Sequence, residues 1–416
     1  MQYLTRKLPL DPDPKTASTL WYISRRCNQI WNLMVEERQA AFREGKRVDY
    51  YSQKKRLPKL KRDDERLKDP ASQVLQEVVK SVDSAYRSFY ALRKQGDKTV
   101  NPPSFRSGRR FFTQTYPQVD KSFRIEGDQL YLAFGKSPKD WLTLTLPQPV
   151  AEPVTEVKIV YDDLRRRFDA CLTVVVETPP LKTEGYTLYF DPGVKMALTG
   201  ITSDGRLFEY DQGPLRTVNL STLKRIDQVT RERDRKRKGS YRWRRLNARI
   251  KKLWRKYHTR TRLYLHNLAN RILQDHPQAK AFLVGDWRKK ETTAETPYRA
   301  VQNLTPVGRL VELLNYKSRL RGVRTDRFDE RGSTRVCVCC DHVHKDGIDP
   351  KVRAFVCEAC GFAYPRDWHA CLNFLKRFEP AQWRRLAGNL PARSARVTLA
   401  PFSLKPQLDI HFQPAS

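Results

Sequence analysis

Apolar residues recur every three to four positions in the first quarter of the chain, which is the spacing of a buried helical face. One such stripe runs over residues 20–34 and a second over 74–92. A strand-like segment at residues 2–8 precedes them and is closed by the turn-forming run Asp-Pro-Asp-Pro at 11–14. The pattern therefore predicts one opening strand followed by a helical insert over residues 15–96.

Alternation of apolar and polar residues replaces the helical spacing after Gly96. Leucines alternate with threonines over residues 142–146, and two further alternating runs, 157–161 and 168–176, flank a polar turn. Such alternation is typical of antiparallel sheets. We predict a β-barrel or sandwich built from residues 1–14 and 97–182, with the helices inserted after its first strand.

A third pattern begins near Gly185, where short strand-like runs separated by turns indicate an antiparallel meander. Strands that then alternate with helices predict a mixed α/β sheet. The predicted strands are 187–190, 197–202, 206–210, 281–284 and 323–328, and the predicted helices are 220–273, broken near Gly239, and 307–320. The tail, residues 379–416, has little core pattern beyond Trp383 and Leu386.

The charge of the chain indicates its class of partner. Its 416 residues carry 80 Lys or Arg against 46 Asp or Glu, a formal charge of +34. Because this charge recurs along the whole chain, a long nucleic acid fits it better than a small phosphorylated metabolite. There is no apolar stretch of about 18 residues and no signal-peptide pattern, so we expect no membrane partner. A cytoplasmic, nucleoid-associated protein of two to four packed units is predicted.

The basic residues are densest in one helical segment. Residues 231–262 hold 16 Lys or Arg among 32, and only two acidic residues oppose them. A solvated helix face is the ordinary interpretation of a charge run, but a run this unbalanced repels itself unless an anion neutralises it. The predicted nucleic-acid-binding residues are Arg233, Arg235, Lys236, Arg237, Lys238, Arg242, Arg244, Arg245, Lys251, Lys252 and Arg255.

Four cysteines form two CxxC pairs, Cys337 with Cys340 and Cys357 with Cys360. Two thiolates three residues apart on a tight turn can hold one Zn²⁺, and a second pair completes a closed tetrahedral site. In a reducing compartment, metal ligation is the more common use of such pairs than disulfide formation. We predict a structural zinc site, since four protein ligands leave no open position. Cys339 breaks the spacing and is not expected to bind.

Three aspartates follow predicted strands or open a helix in this otherwise basic chain. Asp191 follows the strand at 187–190, Asp286 follows the strand at 281–284, and Asp367 begins a helical pattern. Three carboxylates from separate elements could hold the two Mg²⁺ ions that phosphodiester hydrolysis uses. For any one aspartate alone, an ordinary structural role is the better interpretation, with Asp367 as a helix N-cap and Asp191 as a turn former. Spacing in sequence leaves open whether the three converge.

These motifs, in this order, resemble the TnpB family of transposon-encoded RNA-guided DNA endonucleases, which are related to type V CRISPR effectors. The resemblance covers residues 1–377. It is carried by Asp191, Pro192 and Gly193; Val284, Gly285 and Asp286; Arg299, Ala300, Val301, Gln302 and Asn303; Glu312, Leu314, Tyr316 and Lys317; the run DERGST at 329–334; and Arg366, Asp367, Ala370, Leu372 and Asn373.

The resemblance implies an oligonucleotide-binding-like barrel, a helical recognition insert and an RNase H-like RuvC domain. That domain would comprise residues 183–330 and 362–378, with the zinc ribbon inserted at 331–361. A guide RNA would supply sequence specificity, and the protein would read a short flanking motif and cut the target DNA. A monomer or a homodimer on the guide RNA is expected.

Two departures from the family pattern leave other functions open. Asp286 stands where the family usually has Glu, and His369 stands where it commonly has Asn. A guide-dependent DNA-binding repressor that does not cut is therefore one alternative. An RNase H-like transposase or junction resolvase is another, because related carboxylate sites serve those reactions. A structural RNA-binding protein with incidental acids is a further alternative, which the position of acids after strands disfavours.

Overall fold

The computed structural model describes residues 1–193, 195–286, 306–344, 352–391, 394–399 and 413–414. The chain divides into two units, Met1–Glu177 with Ile410–Ser416, and Thr178–Asp409. None of the described helices is both long enough and apolar enough to cross a membrane.

The first unit contains two antiparallel sheets. Their strands are β1 (Gln2–Leu10), β2 (Gln114–Tyr116), β3 (Phe123–Glu126), β4 (Gln129–Leu132), β5 (Leu142–Thr145), β6 (Val154–Asp162), β7 (Arg167–Val176) and, from the end of the chain, β16 (Gln413–Pro414). One sheet has the order β16-β1-β7-β6-β2 and the other β3-β4-β5. A closed barrel is not found among the described strands, because β2 and β16 lie at opposite edges of the first sheet and do not pair with each other.

Three helices lie between β1 and β2: α1 (Pro14–Arg43), α2 (Tyr50–Asp63) and α3 (Ser72–Lys94). Asp13 caps α1, since its carboxylate accepts from the backbone N–H of Lys15 and Thr16 at 2.8 and 3.1 Å. The predicted stripe of α1 is buried throughout. The stripe of α3 ends earlier than predicted, because Tyr86 is its last buried residue and Leu92 is 41% exposed.

The second unit is built on a mixed sheet, as predicted. Its strands are β8 (Tyr186–Pro192), β9 (Met196–Thr202), β10 (Leu207–Asp211), β11 (Ala279–Gly285), β12 (Arg324–Phe328) and β15 (Ser394–Thr398), in the order β12-β11-β8-β9-β10-β15. Strands β8 to β10 form the antiparallel meander, and β11 and β12 extend it in parallel with β8. A separate hairpin consists of β13 (Ala354–Val356) and β14 (Ala363–Pro365).

The described part of the tail contains two strands that its weak core pattern does not predict. It supplies β15, which pairs in parallel with β10, and β16, which pairs with β1. Edge strands are held by backbone hydrogen bonds, which need no apolar pattern in the added strand.

The helices of the second unit are α4 (Gly213–Asp234), α5 (Tyr241–Asp275), α6 (Val307–Arg319), α7 (Arg366–Phe378) and α8 (Pro380–Leu386). The predicted break between α4 and α5 is confirmed at Gly239, whose φ of +84° favours glycine. Helix α4 begins seven residues before the predicted helix.

The two faces of the mixed sheet carry different helices. Tyr189, Leu283 and Phe328 belong to the cluster around α7, where the Phe328 and Phe374 rings lie 4.7 Å apart. Phe190 and the neighbouring even-numbered side chains of β8 and β11 face the end of α5 instead. This alternation follows from the two-residue period of a strand, and it decides which side chains of the site can meet.

Candidate functional site

Asp191 lies within β8, one residue before its end, with Thr199 of β9 as its cross-strand partner. It is therefore a strand residue and not a turn former. Burial raises the pKa of Asp191 well above its usual range, and the negative charges of Glu330 and Asp367 raise it further. Carboxylates from two other parts of the chain thus lie within electrostatic reach of Asp191.

Asp367 is the second residue of α7 and is not its N-cap, a position held by Pro365. Its carboxylate lies 3.6 Å from the Arg353 guanidinium. Cys371, one turn along the same helix, is fully buried, and the charges of Asp191 and Asp367 add to burial in raising its pKa. Helix α7 therefore carries Asp367 to the edge of the sheet near the end of β8, where Asp191 lies.

Asp286 directly follows β11, and its backbone N–H donates to the Phe328 carbonyl at 2.8 Å. Its carboxylate lies 3.3 Å from the Arg327 guanidinium. In the parallel pairing of β8 with β11, Phe190 is opposite Val284, so the position beside Asp191 is 285 and not 286. The predicted role of Asp286 as a metal ligand stays a prediction.

Glu330 was not singled out from the sequence as a site acid, although it lies in the DERGST run. It follows β12 by two residues, and its carboxylate lies against the backbone of Gly285. One of its oxygens, Oε2, is buried without a hydrogen-bond partner. Burial raises the pKa of Glu330 to about 7, with smaller contributions from the charges of Asp286 and Asp329. The signal available in the sequence was its position two residues after a predicted strand.

The four paired cysteines converge as predicted. The Sγ atoms of Cys337 and Cys360 are 3.7 Å apart, and those of Cys340 and Cys357 are 3.6 Å apart. Four sulfurs placed about 2.3 Å from one Zn²⁺ at tetrahedral angles would be separated by about 3.8 Å. The cluster therefore fits a structural zinc ion, and the exposed Cys339 lies outside it.

A second group of side chains with metal-ligand chemistry lies in the same ribbon. Ligand atoms of His342, His344 and Glu358 lie within 4.8 Å of one another. Only His344 is buried, while His342 and Glu358 are exposed to water. We assign no role to this group.

His369 joins helix α7 to the ribbon that holds the four cysteines. Its ring stacks on Phe355 with centroids 3.5 Å apart, and its Nε2 accepts from the Val338 backbone N–H at 3.3 Å. Burial lowers the pKa of His369 to about 4, which keeps Nε2 free to accept. Asn373, one turn later, donates to the Val336 carbonyl at 2.9 Å. The ribbon thereby fixes the helix that carries Asp367.

The basic segment forms the α4–α5 hairpin. Its apolar stripe packs as predicted, with Ile250 of α5 buried against Ile226 of α4. Eight of the eleven predicted nucleic-acid-binding residues are exposed, and Arg233, Lys236 and Arg255 are half-buried. The hairpin presents a cationic surface that no comparable number of acidic side chains neutralises.

Two further segments carry the family resemblance. Residues 299–303 lie outside the described residues. On α6, Leu314 and Tyr316 are buried, and Lys317 donates to Asn270 at 2.6 Å. These α6 residues hold the helix in place.

Comparison with known proteins supports this architecture. A family model described as Cas12f1-like, TNB domain matches residues 308–374, which run from α6 through the ribbon into α7. Two curated relatives, from Mycobacterium tuberculosis strains CDC 1551 and H37Rv, bear the name "Putative RNA-guided DNA endonuclease". Each is 26% identical over 313 residues, which cover 71% of this chain. The chain spans 66% of the length of those relatives, slightly under two thirds.

Among solved structures, the Cas12f1 chain of the Cas12f1-sgRNA-target DNA complex superposes with a TM-score of 0.57. The match covers 87% of this chain and 83% of that one at 11% identity, a level at which the likeness concerns the fold alone. The matched domain, the curated relatives and the shared mixed α/β fold agree, and together they show that the chain is similar to TnpB-like proteins.

Proposed function

We propose that this protein is an RNA-guided, metal-dependent DNA endonuclease with a RuvC-type site. The observation that carries the proposal is the convergence of Asp191 from β8 and Asp367 from α7 with a third carboxylate at one edge of the mixed sheet. The charges of Glu330 and Asp367 raise the pKa of Asp191, which isolated capping or turn residues would not do. The names of the curated relatives, and the guide RNA and target DNA in the Cas12f1 complex, point to the same activity.

The acidic edge fits a hard cation. A buried carboxylate oxygen without a hydrogen-bond partner, Oε2 of Glu330, is costly unless a cation or a proton compensates it. Asp191 and Asp367, with the third carboxylate, would hold Mg²⁺. Bound there, two such ions would activate water and stabilise the leaving oxygen of a phosphodiester.

The remaining residues position the reaction. The zinc ribbon fixes α7 through His369 and Asn373, so that Asp367 is held in one place. The exposed cations of the α4–α5 hairpin would hold the phosphate backbones of guide RNA and DNA. Sequence would be read by base pairing with the guide, and a short flanking motif by the protein.

The test is cleavage by the purified protein with its copurified RNA. Targets matched to that RNA carry randomised flanks, and reactions are run with and without Mg²⁺ beside Asp191→Asn as the matched control. We expect guide-matched, Mg²⁺-dependent cutting that the control loses, with RNA and DNA binding retained.

The same assay distinguishes the alternatives. Guide-matched binding without cutting would identify a repressor and refute the nuclease proposal. Absence of any copurified structured RNA would favour a transposase or resolvase, whose chemistry needs no guide.

A further inference from the structure

The register of the central strands places a glycine where a third acidic ligand would face Asp191. Phe190 pairs with Val284 across β8 and β11, so the next in-register pair is Asp191 with Gly285. In-register residues of parallel strands point to the same face of a sheet. Position 285, which has no side chain, is therefore the position of β11 that shares the α7 face with Asp191.

Asp286 is out of phase with Asp191. It follows Gly285 by one residue, so strand alternation directs it toward the face occupied by Phe190 and Val284. The Asp286 carboxylate lies 3.3 Å from the Arg327 guanidinium, which agrees with this direction. Arg327 pairs in register with Val284, so its side chain points to the same face of the sheet as Val284. A one-residue offset of this kind cannot be removed by a small side-chain rotation.

Glu330 is in phase. Phe328 pairs with Gly285 and packs on Phe374 of α7, so it lies on the α7 face, and Glu330 follows it by two residues. A Cβ atom added to Gly285 would overlap Glu330 Oε2 and lie 3.0 Å from its Cδ. The Glu330 carboxylate thus occupies the space that a side chain at position 285 would fill.

We propose that Glu330, supplied by the end of β12, is the third metal-binding carboxylate of the nuclease site, and that Gly285 is required to leave room for it. Asp286 then acts from beside the site, paired with Arg327. This inference rests on the proposed function, and it changes which residue completes the site.

The test compares Glu330→Gln with Asp286→Asn in the guide-RNA complex, with wild type and Asp191→Asn as references. Single-turnover cleavage should fall at least about 100-fold in Glu330→Gln and no more than about 10-fold in Asp286→Asn. Glu330→Asp should cut weakly and need more Mg²⁺ for half-maximal rate, whereas a residue with a merely structural role would leave the Mg²⁺ requirement unchanged. Guide RNA and DNA binding should be retained in all variants.

A relocation variant tests the geometry directly. Glu330→Gly should abolish cutting, and adding Gly285→Glu should recover at least about a tenth of the wild-type rate, since the new carboxylate enters the same space from β11. Gly285→Ala alone should displace Glu330 and reduce cutting without loss of RNA binding.

The outcomes separate the two proposals. A wild-type protein that does not cut would remove the proposed function. If wild type cuts, Asp191→Asn does not, and Glu330→Gln keeps the wild-type rate, the inference alone is overturned. A wild-type Mg²⁺ requirement in Glu330→Asp, or no recovery on relocation, would also overturn it.

Discussion

Replacing Glu330 by Gln should stabilise the Mg²⁺-free protein at alkaline pH. The pKa of the Glu330 carboxyl is raised from 4.5 to about 7 in the folded chain. At about 1.4 kcal/mol per unit of pKa, ionised Glu330 makes the folded state less stable relative to the unfolded state by about 3 kcal/mol. Part of the side chain is solvent-accessible, and solvent screening lowers this value. We therefore expect a gain of about 1–2 kcal/mol for Glu330→Gln at pH 8, where the wild-type carboxyl is ionised.

The gain depends on pH in a defined direction. Since the pKa is higher in the folded state, the folded chain binds more protons at Glu330 than the unfolded chain between pH 4.5 and 7. The ionised Glu330 carboxyl therefore costs the folded state no free energy below pH 4.5. This cost grows between pH 4.5 and 7 and is complete above pH 7. Gln carries no charge at any pH, so the difference between variant and wild type should follow the same curve.

The assay is thermal unfolding of the second unit at pH 8 and at pH 4.5, in Mg²⁺-free buffer that leaves the zinc in place. The second unit, Thr178–Asp409, is in the size range in which a gain of about 1–2 kcal/mol corresponds to a rise in Tm of roughly 2–8 °C. Saturating Mg²⁺ should stabilise wild type more than the variant, because ligand binding to the folded state adds stability.

A Glu330→Gln protein that is less stable than wild type at pH 8 without Mg²⁺ would refute the reasoning, because it would mean that the carboxylate is compensated within the protein. Gln is nearly isosteric with Glu, so packing losses should be small.

Three other perturbations have defined outcomes. Cys357→Ser should reduce bound zinc from one ion per chain to nearly none by elemental analysis, whereas Cys339→Ser should not; equal losses would contradict the ligand assignment. Converting Arg244 and Arg245 to Ala should weaken guide-RNA binding and lower the slope of log K against log salt by about 1–2, and an unchanged slope would exclude phosphate contact. His276→Ala should lower the free energy of unfolding in urea by about 3 kcal/mol, because it removes a buried ring that hydrogen-bonds two tyrosine hydroxyls at 2.9 Å. A loss under 1 kcal/mol there would contradict the packing.

Local spacing was enough to predict most elements and the zinc site. The apolar stripe of α1 and the break at Gly239 depend only on residues within a few turns of each other, and the structure has both. The CxxC spacing likewise predicts the four-sulfur cluster, because each pair of ligands is set by one tight turn. Local spacing also identifies two candidate site acids, because Asp191 follows a predicted strand and Asp367 begins a predicted helix.

Long-range pairing could not be predicted in the same way. The two-residue β16 joins a sheet formed by strands that begin and end far from it in sequence, and β15 joins the edge of another. Both depend on backbone hydrogen bonds, which leave no side-chain pattern. Closure of a barrel also depends on pairing between distant strands, and among the described strands the first sheet is open where a barrel or sandwich was expected.

The sequence by itself determined that this is a strongly basic chain, suited to a polyanionic partner, with two CxxC pairs and carboxylates placed after strands, since those features depend on composition and short spacings. Only the tertiary structure decided which carboxylates face one another. The phase of Asp191 relative to Gly285 depends on the register of strands more than 90 residues apart in sequence, and a shift of one residue exchanges the two faces. That register brings Glu330 to the Asp191 side of the sheet and leaves Asp286 beside it.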